Sequence, residues 1–402
     1  MQKSSMNYIS LYSGCGGADI GFHKKGFTNI GSFDINNSAL EVLKKNLNVP
    51  VFKIDLSKQV DISQFIKNKP VDVVFSGAPC QGFSTAGNRN YSDPRNNLLV
   101  RGGELALSLK TQVFVSENVM GSLSGNLKDY WINLENLFLS NGYLTHFVKI
   151  NCLDIGMAQM RKRVLFFAWK DSSRSIKWPK KKNPKNLSQV LNNVKSAPNN
   201  IGYEIGSDDE TVKIARRIGQ SQKLSNVRGG DRAVATWEIP EVFGEVNSYE
   251  ESILVSLRNL RRRNRQREFG DADPVDLDVI IDEHGGNVVC HLENLIQKGY
   301  IRHKAPNKYD LTRTFNGKYR RLSMEEPCTT VDTRFGNPIY FLHPEEDRGF
   351  TVREAARIQG FPDDFIFDGS LVEMYRMIGN AVPPPLSEIV ADIVRNQLMP
   401  NE

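Results

Sequence analysis

The stretch VVFSGAPCQGFSTAG, Val73 to Gly87, ends a Val- and Phe-rich run with a proline, a cysteine and a loop of small residues. A thiolate that attacks a reactive carbon must reach it while its own backbone is held still. Pro79 has a fixed φ and offers no amide proton, and Gly82 lets the following loop lie close to a ligand. Taken alone, Cys80 reads more readily as an inert buried thiol than as a nucleophile. A place at a strand end beside a ligand site reverses that. Such a site is suggested by LYSGCGGADIGF, Leu11 to Phe22, where glycines after a first strand let the backbone turn sharply and approach a cofactor. A tight structural turn is the competing reading. Asp34, ending the next strand candidate, could accept hydrogen bonds from a ribose diol. Asp55, ending the third, could accept from an adenine amino group. Glu117 and Asn118 in VFVSENVMGS stand at another strand end, and Arg161 and Arg163 in AQMRKRVLFF stand just before a strand. Their ordinary readings are a surface carboxylate and a solvated face. An Arg-x-Arg at a strand start nevertheless points both guanidinium groups to one side, which suits an anionic or carbonyl-bearing ligand. No G-x-x-x-x-G-K-[ST] occurs, which disfavours an ATPase.

These residues need a frame to hold them. The runs YISLYS, TNIGSFDI, VPVFKIDL, VDVVFSGAP, TQVFVSENV and RVLFFAW read as strands, with helical stretches such as NSALEVLKKNL, GGELALSLK and WINLENLFLSNG between them. That alternation predicts an α/β fold whose mostly parallel sheet is covered by helices on both faces and binds ligands at its carboxyl ends. The pattern breaks at SIKWPKKKNPKNL (175–187) and resumes after about residue 320, where TVREAARIQGFP and PPPLSEIVADIVRNQL read as helices. Within the break, VDLDVIIDEHGGNVVCHLENLIQKGYIRHKAPNKYDLT has the order helix, Gly-Gly turn, helix, two strands. Val289, Leu292, Leu295 and Ile296 line one face of the second helix in this reading. A winged helix would show that order, and so would a small helix–hairpin used only for packing.

Composition narrows the class. Of the 402 residues 40% are hydrophobic and 24% charged, as in ordinary soluble globular proteins. No apolar run approaches the roughly 18 residues of a membrane span. The opening MQKSSMNYIS is too polar and short to act as a signal peptide, which predicts a cytoplasmic protein. The five cysteines are far apart without a C-x-x-C pair, and the six histidines are scattered, so neither a structural zinc nor a disulfide framework is expected. The net charge is +6, and residues 171–320 hold 26 Lys and Arg against 20 Asp and Glu, leaving 26 of each elsewhere. The whole excess therefore sits in the middle segment. A polyanionic partner and a merely solvated surface both account for it.

The ordered series SGCGG, PCQGFS, ENV, QMRKR, RRLSMEEPCTTV and GNAVPPPL resembles the DNA (cytosine-5)-methyltransferase family in its prokaryotic restriction–modification form. The resemblance covers about residues 8–170 and 318–395. It implies a Rossmann-like S-adenosylmethionine-dependent methyltransferase sheet, discontinuous over 1–172 and 320–402, with a second, smaller target recognition domain over 173–319; whether 275–313 within it is a winged-helix-like element or a packing module stays open from the element order. It implies that Cys80, as thiolate, attacks carbon 6 of a cytosine flipped out of duplex DNA. Glu117 would contact ring nitrogen 3 and the exocyclic amine, Arg163 the carbonyl at position 2, and Arg161 would help fix Cys80 and the nearby phosphate. For S-adenosylmethionine, released as S-adenosylhomocysteine, the resemblance assigns Tyr12 to the adenine edge, Gly14 and Gly16 to the methionine moiety, Asp34 to the ribose, Ile35 to the adenine face and Asp55 to the adenine amine. Pro79 and Leu98 would complete that pocket, and Asn380 and Val382 would return from the C-terminus beside the glycine turn. The partners implied are double-stranded DNA and a separately encoded cognate restriction endonuclease; the protein would act as a monomer and without a membrane.

The chain departs from the family pattern at Ser10, where an aspartate is common, at Tyr12, where a Phe is common, and at Asp34, where a longer glutamate is common. Two other readings remain at this level. One is a relative acting on tRNA, whose CFT signature is absent here; the other is a catalytically inert DNA-binding protein that has kept the fold. The six arginines between Arg258 and Arg267 are candidates for phosphate contact, with a solvated helix face as the alternative. A phosphate-dominated interface predicts that affinity for non-specific duplex DNA falls steeply between low and moderate salt. A filter-binding series at increasing NaCl checks this, and a flat response counts against phosphate contacts.

Overall fold

The computed structural model describes residues 6–79, 93–263, 265–266 and 272–399. Cys80, Gly82 and Arg267 lie outside the described residues. Seven strands, β1 (Asn7–Leu11), β2 (Thr28–Asp34), β3 (Val51–Lys53), β4 (Val73–Ser76), β5 (Val113–Val119), β6 (Leu144–Asn151) and β7 (Lys162–Trp169), form one sheet in the order β3-β2-β1-β4-β5-β7-β6. The pairs among β1 to β5 are parallel, and β7 runs antiparallel to both of its neighbours.

The apolar runs are nearly continuous because each face of the sheet is covered. Val73, Phe75, Val113, Val115, Leu165 and Phe167 point to one layer, where they meet Phe22 of α1 (Gly17–Lys24) and Leu386 and Val390 of the helix Pro384–Ile393. The alternate residues Val74, Phe114 and Phe166 meet Leu99 and Leu105 of α3 (Leu98–Ser108) and Trp131, Leu134 and Phe138 of α4 (Asp129–Leu139) on the other side. Between β2 and β3 lies α2 (Asn37–Leu47), capped by the Asn36 side chain on the Ala39 amide. Strand β6 is absent from the runs read off the sequence. It is an edge strand, so Thr145, His146 and Lys149 interrupt its apolar pattern without cost.

The chain divides into two compact units: Met1–Gly202 with Met324–Phe335 and Thr351–Glu402, and Tyr203–Ser323 with Gly336–Phe350. The first break thus falls at 202/203 rather than at 172/173, and 336–350 goes with the second unit. There, two short sheets and the helix Ser248–Arg263 accompany the helices Leu277–His284 and Val288–Gln297 and the strands Ile301–Ala305 and Lys308–Leu311. The apolar stripe of Val288–Gln297 is Val288, Leu292 and Leu295; Val289 is 39% exposed, which shifts the expected face by one residue at its start.

The first unit is closed by its own ends. A Cβ at Gly21 of α1 would lie 2.2 Å from Ser387 Oγ and 2.4 Å from the Glu388 amide nitrogen, so only glycine lets α1 lie against the helix Pro384–Ile393. Gly21→Ala should cost about 1–3 kcal/mol through overpacking. Urea unfolding should show a lower midpoint at unchanged slope, and an unchanged midpoint would mean that the two helices separate freely.

Candidate active site

The strand order reverses between β1 and β4, and ligand crevices in open α/β sheets form outside the carboxyl ends at such a point. A cavity of about 560 Å³ opens there, and its walls include Tyr12, Gly14, Asp34, Ile35, Asp55, Pro79, Leu98, Glu117, Arg161, Arg163, Asn380 and Val382. All of these were singled out in the sequence. Gly16 was too, but it does not line the cavity. With φ 91° it caps α1, and a Cβ there would meet Leu43 Cδ1 at 2.4 Å, so its glycine serves packing.

The cofactor side is built by backbone turns. Tyr12 holds φ 55°, a left-handed conformation unusual for a bulky residue, and its hydroxyl donates to the Leu98 carbonyl at 3.1 Å. Burial raises its pKa. Gly14 takes φ 53°, and its amide donates to Asp34 Oδ2 at 2.8 Å, while Asp34 Oδ1 accepts from the Asn36 amide at 2.8 Å. Asp34 therefore clamps the glycine turn to the start of α2. Its pKa is raised by burial, against the pull of those amides. Asp55 Oδ1 accepts from the Ser57 hydroxyl at 2.6 Å and the Ser57 amide at 3.0 Å, and the hydroxyl bond lowers its pKa. Ile35, 63% exposed on the cavity wall, offers an apolar face that water covers poorly. Two carboxylates at adjacent strand ends, an exposed aliphatic between them and a close backbone turn fit a nucleoside-bearing cofactor.

Across the cavity, Arg163 Nε lies 2.7 Å from Glu117 Oε1, both side chains being about nine-tenths buried. Antiparallel pairing of β5 and β7 sets Val119 opposite Arg163, which brings the carboxylate and the guanidinium to one face. Asn118 turns the other way, and its amide donates to the Ala78 carbonyl at 3.2 Å; Ser116 Oγ donates to the Ser76 carbonyl at 3.1 Å. Both bonds pin the exit of β4, which leads to Pro79.

Arg161 is 2% exposed and donates to the carbonyls of Val331, Gly379 and Ala381 at 3.0, 3.1 and 2.9 Å. The sequence pointed it at Cys80 and a phosphate; Cys80 lies outside the described residues, and what Arg161 holds is the returning C-terminal chain. Gln159, Gln359 and the helix Leu371–Asn380 were not singled out. Gln159 Nε2 donates to Ile358 O at 3.0 Å and to Gln359 Oε1 at 2.6 Å, and Gln359 Nε2 donates to Ala381 O at 2.8 Å. The signal that marks the missed helix is Ser370…Glu373, a reciprocal capping box ahead of an apolar stripe.

Two of the other thiols are poor nucleophiles. Cys15 lines the same cavity, yet burial pushes it up to about 12, and burial takes Cys152 up to about 11. In the second unit a separate concavity of about 580 Å³ is lined by Arg228, Arg262, Arg263 and Arg265 with Val227, Asn259 and Ala272. Arg258 instead lies over the Trp237 ring at 5.6 Å, and Arg261 is buried against Asp310, so these two are packing groups rather than exposed phosphate contacts.

A sheet with one reversed strand beside its edge, and acidic strand ends around a cavity at the switch point, define a Rossmann-like methyltransferase. The chain belongs to the C-5 cytosine-specific DNA methylase family, whose pattern matches residues 6–395. By that membership it is a DNA cytosine-5 methyltransferase. It is 28% identical to the type II methyltransferase M.DdeI of Desulfomicrobium norvegicum over 96% of this chain and 88% of that protein. It is 29% identical to the type II methyltransferase M.AgeI of Thalassovita gelatinovora over 97% of this chain and 99% of that one. Among solved structures, a putative DNA modification methyltransferase encoded within an E. coli prophage shares the fold with a TM-score of 0.59 at 23% identity, covering 98% of this chain and 99% of that one.

Arg161→Ala should take the guanidinium donor from the Val331 and Gly379 carbonyls, while the Ala381 carbonyl keeps Gln359 Nε2, and lower stability by on the order of 3 kcal/mol. Urea titration measures this, and a wild-type midpoint would remove Arg161 from the tethering role.

Proposed function

We propose that this methyltransferase modifies carbon 5 of a flipped-out cytosine within a short sequence of double-stranded DNA through a covalent adduct of Cys80. The supporting observation is the continuity of one cavity from the glycine turn and Asp34, past Pro79, to the Glu117–Arg163 pair. Cys80 follows Pro79 in sequence. The thiolate adds to carbon 6, and the ring electrons move toward carbon 5 and the polar edge. Glu117 holds ring nitrogen 3 and the exocyclic amine, and Arg163 both orients that carboxylate and faces the carbonyl at position 2, so the charge that develops on the ring meets fixed partners. Loss of the carbon-5 proton and elimination of the thiolate then restore the aromatic ring and free the enzyme.

S-adenosylmethionine, when bound, supplies the electrophilic methyl group. Asp34 would hold its ribose, Asp55 its adenine amine and Ile35 the adenine face, with Tyr12, Gly14, Leu98, Asn380 and Val382 completing the walls. The second unit serves as the target recognition domain. Arg262, Arg263 and Arg265 in its concavity suit phosphate oxygens. Likeness to type II methyltransferases supports a protective role opposite a separately encoded restriction endonuclease. In this reading the protein acts in the cytoplasm as a monomer on DNA. Among the described residues no helix is long and apolar enough to cross a membrane.

Duplex DNA containing 5-fluorocytosine, incubated with the protein and S-adenosylmethionine, should give a denaturation-resistant complex, because fluorine at carbon 5 blocks the elimination. Cys80→Ala should abolish the complex. A complex that persists in the variant would place the nucleophile elsewhere.

A further inference from the structure

The second unit contains a helix-turn-helix closed by a β-hairpin. The helix Ser248–Arg263 precedes the short strand Val275–Asp276; the helices Leu277–His284 and Val288–Gln297 follow, joined by Gly285, Gly286 and Asn287; the strands Ile301–Ala305 and Lys308–Leu311 close the order. Val275–Asp276 pairs with Lys308–Leu311, which pairs in turn with Ile301–Ala305. Gly285 takes φ 82°, which permits the tight turn between the helices. Leu254, Leu257, Ile280, Leu292, Leu295 and Tyr309 belong to one buried cluster. This is the architecture of a winged helix, with Val288–Gln297 in the place of the helix that enters a groove.

The face of that helix opposite Val288, Leu292 and Leu295 carries Cys290, Glu293, Asn294 and Gln297, all exposed. Asn and Gln make bidentate bonds to adenine in the major groove, and Glu accepts from the cytosine amine. The adjoining hairpin strand exposes Arg302, His303 and Lys304, and His303 Nε2 lies 3.8 Å from Glu293 Oε1, so helix and hairpin present one continuous surface. A protein-docking face would be rich in aromatic and apolar groups, whereas Val289 is the one exposed large hydrophobic on this helix. Amides on the helix with cations beside it suit duplex DNA, whose major groove admits a helix and whose flanking phosphates take the cations.

We propose that Val288–Gln297 is a sequence-reading helix of this enzyme, with Asn294, Gln297 and Glu293 contacting base edges and Arg302 and Lys304 contacting the flanking backbone. The proposal rests on the reading of the second unit as the target recognition domain. It assigns that role to specific side chains and separates them from the arginine-lined concavity.

The test is selection of bound duplexes from a randomised pool by the full-length protein, alongside bisulfite sequencing of DNA methylated by the same preparations. In N294A/Q297A, discrimination at one or two positions of the preferred site should fall roughly tenfold or more in the bound pool. The melting temperature should stay at the wild-type value, because both side chains are exposed. K304A should keep the preferred sequence but reduce the salt slope of binding by about one. An unchanged bound sequence in N294A/Q297A overturns the proposal, including the case in which the helix docks a protein instead. Failure of the wild-type protein to methylate any pool would overturn the proposed function. The binding selection would still decide the role of the helix.

Discussion

The guanidinium of Arg161 is the interaction on which the site depends. It sits at the mouth of β7, buried, and its donors are given to carbonyls of three residues that lie far along the chain, Val331, Gly379 and Ala381. Those carbonyls belong to chain that has left the sheet for the second unit and come back. A buried guanidinium must have acceptors, and buried carbonyls must have donors, so each side of the contact enforces the other. Two residues on, Arg163 faces Glu117. One short Arg-x-Arg therefore joins the Glu117 side of the cavity to the wall that Asn380 and Val382 supply.

The second unit uses the same device. Arg321, buried, donates to the carbonyls of Ala215, Ile218, His343 and Glu346 and to Asp347 Oδ1, and so holds 336–350 against the rest of that unit. In both places a planar side chain with five donors organises segments without regular structure of their own, which a lysine ammonium cannot match. A discontinuous fold leaves many carbonyls outside helices and strands, and arginine is the residue best shaped to collect them.

The cavity also assigns different work to similar residues. Gly14 and Gly16 look alike in the sequence, yet one turns its amide to Asp34 on the cavity wall and the other makes room for Leu43. Cys15 shares the cavity, but its burial pushes its thiol up to about 12, so it stays protonated at neutral pH. Asn118, next to Glu117, faces away and fastens the exit of β4. Neighbouring residues on a strand point to opposite faces, so a motif of consecutive letters divides into one cavity-lining group and one brace.

The sequence by itself determined the α/β class, six of the seven sheet strands, the glycine turn, the carboxylates at the ends of β2 and β3 and, as separate strand-end residues, Glu117 and Arg163, because apolar runs and strand-end chemistry are local properties; that Glu117 and Arg163 face each other was decided by the pairing of β5 with β7. It also carried the helix-turn-helix order around Gly285 and Gly286, though with Val289 in place of Val288 on the buried face. Only the tertiary structure decided that Arg161 grips the returning chain, that Gln159 and Gln359 join it, that Gly16 is a packing glycine and that Arg258 and Arg261 are committed to Trp237 and Asp310. Each of those depends on a partner far away in the chain, and the geometry of a hydrogen bond or a buried contact between distant segments leaves no periodic trace in either one.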